Sequence, residues 1–195
     1  MTEITSTPRG SLFRALIAAV LVAGAMTTVL FYQIEQRAGI LRDGAEVMLA
    51  TEPVDPRDLL RGDYVILGYP ISSIPVAEVE GSGPDVSGAR RVWIRLAPGE
   101  GGLWSRTEAS FAELAPRDGT VVVRSLPFEV RGYESVYRVN YGIERFYVPE
   151  GEGLAIENAR NDSRVTIAVR VGDDGTAQVR ALFVDGKAVY NDPLY

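Results

Sequence analysis

The first strong pattern along the chain is an apolar run over residues 12–32, broken only by Arg14. At 1.5 Å per helical residue, about 21 residues cover roughly 30 Å, the thickness of a bilayer's hydrocarbon core. No polar face develops over successive turns, so the run predicts a membrane-spanning helix rather than a buried core helix. Arg14 lies close enough to one end to snorkel, and Phe31 and Tyr32 suit the other interface. Ala23-Gly24-Ala25 has the form of a signal-peptide cleavage site, which makes cleavage after Ala25 the rival reading. The apolar run continues through Phe31, and that favours an uncleaved anchor. Ala15, Ala19 and Ala23 fall four apart on one helix face, a spacing that lets a second membrane helix approach closely.

After residue 32 the pattern changes twice. Residues 33–43 are charged and predict a helical stalk ending near Gly44. From residue 45 onward the period is that of strands. Residues 46–51 predict a first strand, and residues 91–96 a strand with Val92, Ile94 and Leu96 inward. Residues 103–107 and 121–126 predict further strands, with 129–132 extending or bulging the latter. Tyr137, Val139 and Tyr141 alternate onto one face. Residues 164–171 and 176–184 form a hairpin around Asp173-Asp174-Gly175, followed by a tight turn at Asp185-Gly186. Residues 71–89, rich in Ser, Pro and Gly, predict a long loop, and residues 154–160 a short helix. The expected architecture is a mainly β, antiparallel domain, a distorted barrel or sandwich. One N-terminal membrane helix and one or two short helices complete it.

The densest run of position-specific residues is 55–69, DPRDLLRGDYVILGY. Asp55 is a good helix N-cap, Pro56 suits the first helical position, and Asp58 favours the positive end of the dipole. Gly62 can close this single turn in a left-handed conformation. Beyond it Asp63, Val65, Leu67 and Tyr69 point to one side of a strand, and Tyr64, Ile66 and Gly68 to the other. Both faces are mostly apolar, which predicts a strand buried on both sides. Gly68 leaves room for a neighbour's close approach, and Pro70 ends the ladder.

Gly62, Asp63, Tyr64, Leu67 and Tyr69 match without a gap the signature of the GDYXXLXY family, which the chain therefore resembles. The resemblance extends to the N-terminal apolar segment and to residues 53–57, with Asp55 and Arg57. It includes a second block at residues 141–153, with Tyr141, Gly142, Glu144 and Glu150. It implies a bacterial membrane-anchored protein and brings no activity or catalytic residues with it. Family members often lie beside genes for polytopic membrane proteins, which implies an integral membrane partner.

Composition narrows the chemistry. The formal net charge of −6 argues against nucleic-acid binding. The absence of Cys and His removes disulfides, thiol nucleophiles, His-based triads and a structural zinc site, and no cofactor or metal is implied. The candidate catalytic carboxylates are Asp63, Glu144 and Glu150. Asp63 is read more readily as a hydrogen-bonding hub for Tyr69 or Arg57, and Glu150 as a favourable charge at a helix start. An envelope hydrolase would need Asp63 paired with Glu144 or Glu150 across a cleft. A ligand-binding domain would need a pocket lined by Tyr69, Tyr137 and Tyr141. The leading expectation is a non-enzymatic accessory or docking subunit for an integral membrane protein. It has a cytoplasmic tail at 1–11, an anchor at 12–32, a stalk at 33–44 and a periplasmic domain at 45–195. That makes it a single-pass protein of the bacterial inner membrane. Basic residues flank the span equally, Arg9 and Arg14 before it, Arg37 and Arg42 after it. The orientation therefore rests on the short tail and the long domain that follows.

Overall fold

The computed structural model describes residues 9–54, 64–83, 85–149 and 151–191. Helix α1 runs from Arg9 to Asp43 without interruption, so the apolar run and the charged stalk are one element of 35 residues. The chain divides into two units, Met1–Ala38 and Gly39–Tyr195. In the first, α1 is long and apolar enough to cross a membrane, and its side chains from Phe13 to Arg37 are exposed. The last turn of α1 belongs to the second unit, where Leu41 is buried. Gly44 stops the helix: its N–H still reaches the Ile40 carbonyl at 2.9 Å. A Cβ there would lie 2.9 Å from the Val171 carbonyl oxygen, so only glycine lets the chain pass.

The second unit contains β1 (Ala45–Ala50), β2 (Tyr64–Ile66), β3 (Ser73–Pro75), β4 (Val79–Glu80), β5 (Gly88–Arg90), β6 (Trp93–Pro98) and β7 (Trp104–Ser110). Then come β8 (Val121–Arg124), β9 (Phe128–Val130), β10 (Val136–Arg138), β11 (Arg145–Tyr147), helix α2 (Gly153–Asn161), β12 (Val165–Val171), β13 (Ala177–Val184) and β14 (Lys187–Asn191). Two four-stranded sheets, ordered β1-β12-β13-β14 and β4-β7-β6-β8, are joined by three two-stranded ladders, β2–β11, β3–β10 and β5–β9. Pairing is antiparallel except between β4 and β7. The fold is mainly β and antiparallel, as the alternation predicts, but the described strands form no closed barrel.

The two sheets share one core. Val47 and Leu49 of β1, Ile167 and Val169 of β12, Val92 just before β6, and Ile94 and Leu96 of β6 all turn inward, as does Val123 of β8. The hairpin at Asp173-Asp174-Gly175 forms as the sequence predicts and also tethers the sheets. The Arg124 N–H donates to the Gly175 carbonyl at 2.8 Å, and the Arg124 guanidinium reaches Asp174 at 3.1 Å. A Cβ on Gly175 would sit 3.0 Å from that of Arg124, and φ there is +79°, so glycine is required twice over.

Two expectations are corrected. Residues 71–89 are not a structureless loop. They hold β3, β4, the start of β5 and two short 3₁₀ turns. Serine and proline hid these pieces because each strand is only two or three residues long and gains its order from a distant partner, β10, β7 or β9. The signature strand β2 is not buried on both sides either. Val65, Leu67 and Tyr69 are sealed in the core, whereas Tyr64, Ile66 and Gly68 are half-buried. Among the described strands β2 pairs with β11, and its second face is only partly covered.

Candidate functional site

The signature and the second block, more than seventy residues apart in sequence, meet along one ladder. Tyr64 pairs with Tyr147, Val65 with Phe146 and Ile66 with Arg145. The ladder continues past β2, because the Leu67 N–H donates to the Glu144 carbonyl at 2.8 Å. On the other side of the chain Gly68 bridges to Glu52, whose N–H donates to the Gly68 carbonyl at 2.9 Å. This is the close approach that the glycine allows. A Cβ on Gly68 would fall 2.6 Å from Cγ2 of Val54.

Two phenols lock the blocks together. Tyr69 donates its hydroxyl to the Ile143 carbonyl at 2.7 Å, and Tyr141 donates to the Ile71 carbonyl at 2.8 Å. The signature thus supplies a tyrosine to the second block's backbone, and the second block returns one to the turn just after the signature. Both rings are fully buried. Burial pushes both phenols well above their ordinary range, and the charge of Glu144 adds to this; at Tyr141 the charge of Arg106 opposes it. These are neutral hydrogen-bond donors, not acids. Tyr137 is also in the core, against Phe111 and Phe128 at ring separations of 5.6 Å. Tyr69, Tyr137 and Tyr141 therefore support the core and do not line an open pocket.

Glu144 sits in the turn before β11. Its carboxylate accepts the N–H of Tyr141 and, at 2.9 Å, that of Gly142. Gly142 has φ of +86°, a conformation that side chains other than glycine rarely adopt. Both carboxylate oxygens are thus committed to closing the turn that presents Ile143 to Tyr69. Asp63 and Glu150, the proposed partners of Glu144 in hydrolysis, lie outside the described residues, as do Asp55, Arg57 and Gly62.

A residue that the sequence reading passed over completes the arrangement. Arg160 of α2 is 1% exposed. Its guanidinium donates to the Ile66 carbonyl of β2, to the Val54 carbonyl at 3.2 Å and to Oδ1 of Asn161 at 2.9 Å. Val54 and Ile66 stand on either side of residues 55–63, so one cation holds the backbone a few residues after β1 and at the end of β2. Burial lowers the pKa of this guanidinium and Glu157 opposes the shift. The sequence did carry a signal: Arg160 falls four residues after the buried Ile156, on the apolar face of α2.

On the outer face of the ladder the Tyr64 and Tyr147 rings lie 6.2 Å apart, with the Arg145 guanidinium 5.6 Å above the Tyr64 ring. Tyr147 is 72% exposed. Ala15, Ala19 and Ala23 are exposed along α1. Among the described residues no group of three or more Asp or Glu side chains is placed to hold a metal ion.

The sequence model of the GDYXXLXY protein family matches residues 26–182, a span that takes in β1 to β12, most of β13 and the whole ladder just described. No curated protein and no solved structure shows significant similarity to the chain.

Proposed function

For this chain, which belongs to the GDYXXLXY protein family, we propose the role of a membrane-anchored accessory subunit. Helix α1 crosses the bacterial inner membrane, and the β domain stands on the periplasmic side and docks onto an integral membrane protein. The observation that carries this reading is α1 itself. Among the described residues its apolar side chains from Phe13 to Ile34 are exposed, and such a surface is stable only in lipid or against another helix. The exposed alanines at positions 15, 19 and 23 leave a shallow face on which a neighbouring helix can pack.

The ladder chemistry supports a non-enzymatic role. The Glu144 carboxylate and the buried phenols of Tyr69 and Tyr141 are spent on backbone groups. Gentle extraction of native membranes, followed by crosslinking and native electrophoresis, tests the proposal. The expected result is a band heavier than the protein alone that contains a second membrane protein. Migration of the protein alone before and after crosslinking would refute it.

A further inference from the structure

The register of β1 decides which of its backbone groups are used. Its six residues pair without a break with β12, from Ala45 opposite Val171 to Ala50 opposite Thr166. Thr51 continues that ladder, its N–H donating to the Val165 carbonyl. In an antiparallel pair, alternate residues direct both of their backbone groups to the same side. Val47 and Leu49 therefore bond to β12, while Glu46, Met48 and Ala50 direct their N–H and C=O groups to the opposite edge. Glu52 keeps the same alternation, because its N–H turns away from β12 to the Gly68 carbonyl.

A second ladder thus begins at Glu52 and Gly68 and stops there. The place opposite Ala50 falls to Pro70, which has no N–H to donate and opens a 3₁₀ turn that leads the chain away. Among the described residues the edge-facing backbone groups of Glu46, Met48 and Ala50 have no backbone partner. Folded proteins blunt open edges with bulges, lysines or prolines. Strand β14, at the far edge of the same sheet, has two of these devices, a bulge that leaves Val189 unmatched and Lys187. Strand β1, AEVMLA, has none of them.

The edge also borders open space. Glu46 is exposed, Met48 and Ala50 are half-buried, and Ala50 lines a cleft of about 400 Å³ together with Glu100. An open strand edge recognises another extended backbone, because only that repeats donors and acceptors at the spacing of the edge. The charges nearby select a cation. Glu46 is paired with Arg170 at 3.0 Å and Arg106 of the cleft with Glu78 at 2.7 Å, whereas Glu100 is exposed and has no cation partner among the described residues. We propose that β1 takes up an extended peptide segment of the integral membrane partner as an added strand, with a lysine or arginine of that segment towards Glu100. This rests on the docking role and specifies how the docking is made.

The test uses the complex as gently extracted from native membranes. Met48→Pro removes an edge-facing N–H and spares the backbone bonds to β12, a position at which an edge strand tolerates proline. Met48→Ala controls for the lost side chain. In native electrophoresis the parent and Met48→Ala should migrate with the partner, and Met48→Pro should retain about a tenth of that complex or less. Hydrogen exchange resolved to single amides is the second readout. In the complex the Met48 and Ala50 amides should exchange at least about tenfold more slowly than in the protein alone, while those of Val47 and Leu49 are protected in both. This readout decides the matter if Met48→Pro does not fold. An undiminished complex with folded Met48→Pro, or unchanged exchange at Met48 and Ala50, would overturn the inference and leave the docking role standing. A parent that migrates alone would overturn both. A heavier species made only of copies of this chain would overturn the assignment of the strand to a membrane partner.

Discussion

Tyr69 and Ile143 are joined by one buried hydrogen bond, phenol to carbonyl at 2.7 Å, across 74 positions of sequence. It is the point at which the last residue of the signature meets the second block. Tyr69→Phe keeps the ring and leaves the Ile143 carbonyl without its donor. The expected cost is about 1–2 kcal/mol, read as a lower denaturation midpoint with an unchanged slope. Tyr141→Phe should behave alike through Ile71. Because both bonds hold the same two segments, the double variant should depart from additivity.

Arg160 makes a sharper prediction. Arg160→Met fills much of the same volume but strips the Val54 and Ile66 carbonyls of a charged donor. Destabilisation of about 2–4 kcal/mol is expected. Protection of the Ile66 and Leu67 amides against hydrogen exchange should fall first, before global unfolding. A variant as stable as the parent would mean that the clamp contributes nothing.

Gly68→Ala tests the close approach of β2 to the segment after β1. The added methyl would lie 2.6 Å from Cγ2 of Val54 and 3.1 Å from Cγ of Glu52. Overpacking should cost about 1–3 kcal/mol, and Val54→Ala should recover part of it by removing the obstructing methyl groups. Thermal melts of the single and double variants settle it.

Much of this was legible in the chain. The inward faces of β6 and of the Tyr137–Tyr141 segment follow from strict alternation, and the β12–β13 hairpin from its Asp-Gly turn. The signature residues identified the segment that turned out to be interior. What alternation does not encode is pairing over distance. The short strands in residues 71–89 are ordered by partners far along the chain, and a three-residue strand has too few side chains to show a period. The half-exposed face of β2 was missed for a related reason. Tyr64 and Ile66 look like core residues, and alternation alone does not tell that the described structure leaves their face only partly covered. Arg160 was missed because a buried cation with backbone partners leaves no sequence signature beyond its position on a helix face. Glu144, singled out as a candidate acid, proved to be a turn-closing carboxylate.

Acid sensitivity should trace in part to Glu108. Its hydrogen bond with Arg95, at 2.7 Å, holds its pKa below the ordinary 4.5; burial opposes this, and the charges of Arg95 and Arg117 reinforce it. A carboxylate depressed in the folded state contributes stability above its unfolded pKa and loses it as the pH falls through the folded value. Stability should therefore decline as the pH drops below about 4.5. Glu108→Gln should lower the neutral-pH midpoint and flatten this acid limb. An acid limb of unchanged slope in Glu108→Gln would assign the sensitivity to other groups.

The account depends most on α1 crossing the membrane with the β domain beyond it, and the absence of native cysteine allows a direct measurement. Lys187→Cys places one thiol on the exposed strand β14, and Ser6→Cys places one before the helix. Intact spheroplasts are treated with a membrane-impermeant maleimide. The account predicts labelling of Lys187→Cys in intact cells and of Ser6→Cys only after lysis, with both variants in the membrane fraction. The reverse labelling, or recovery of the full-length chain in the soluble fraction, would contradict it.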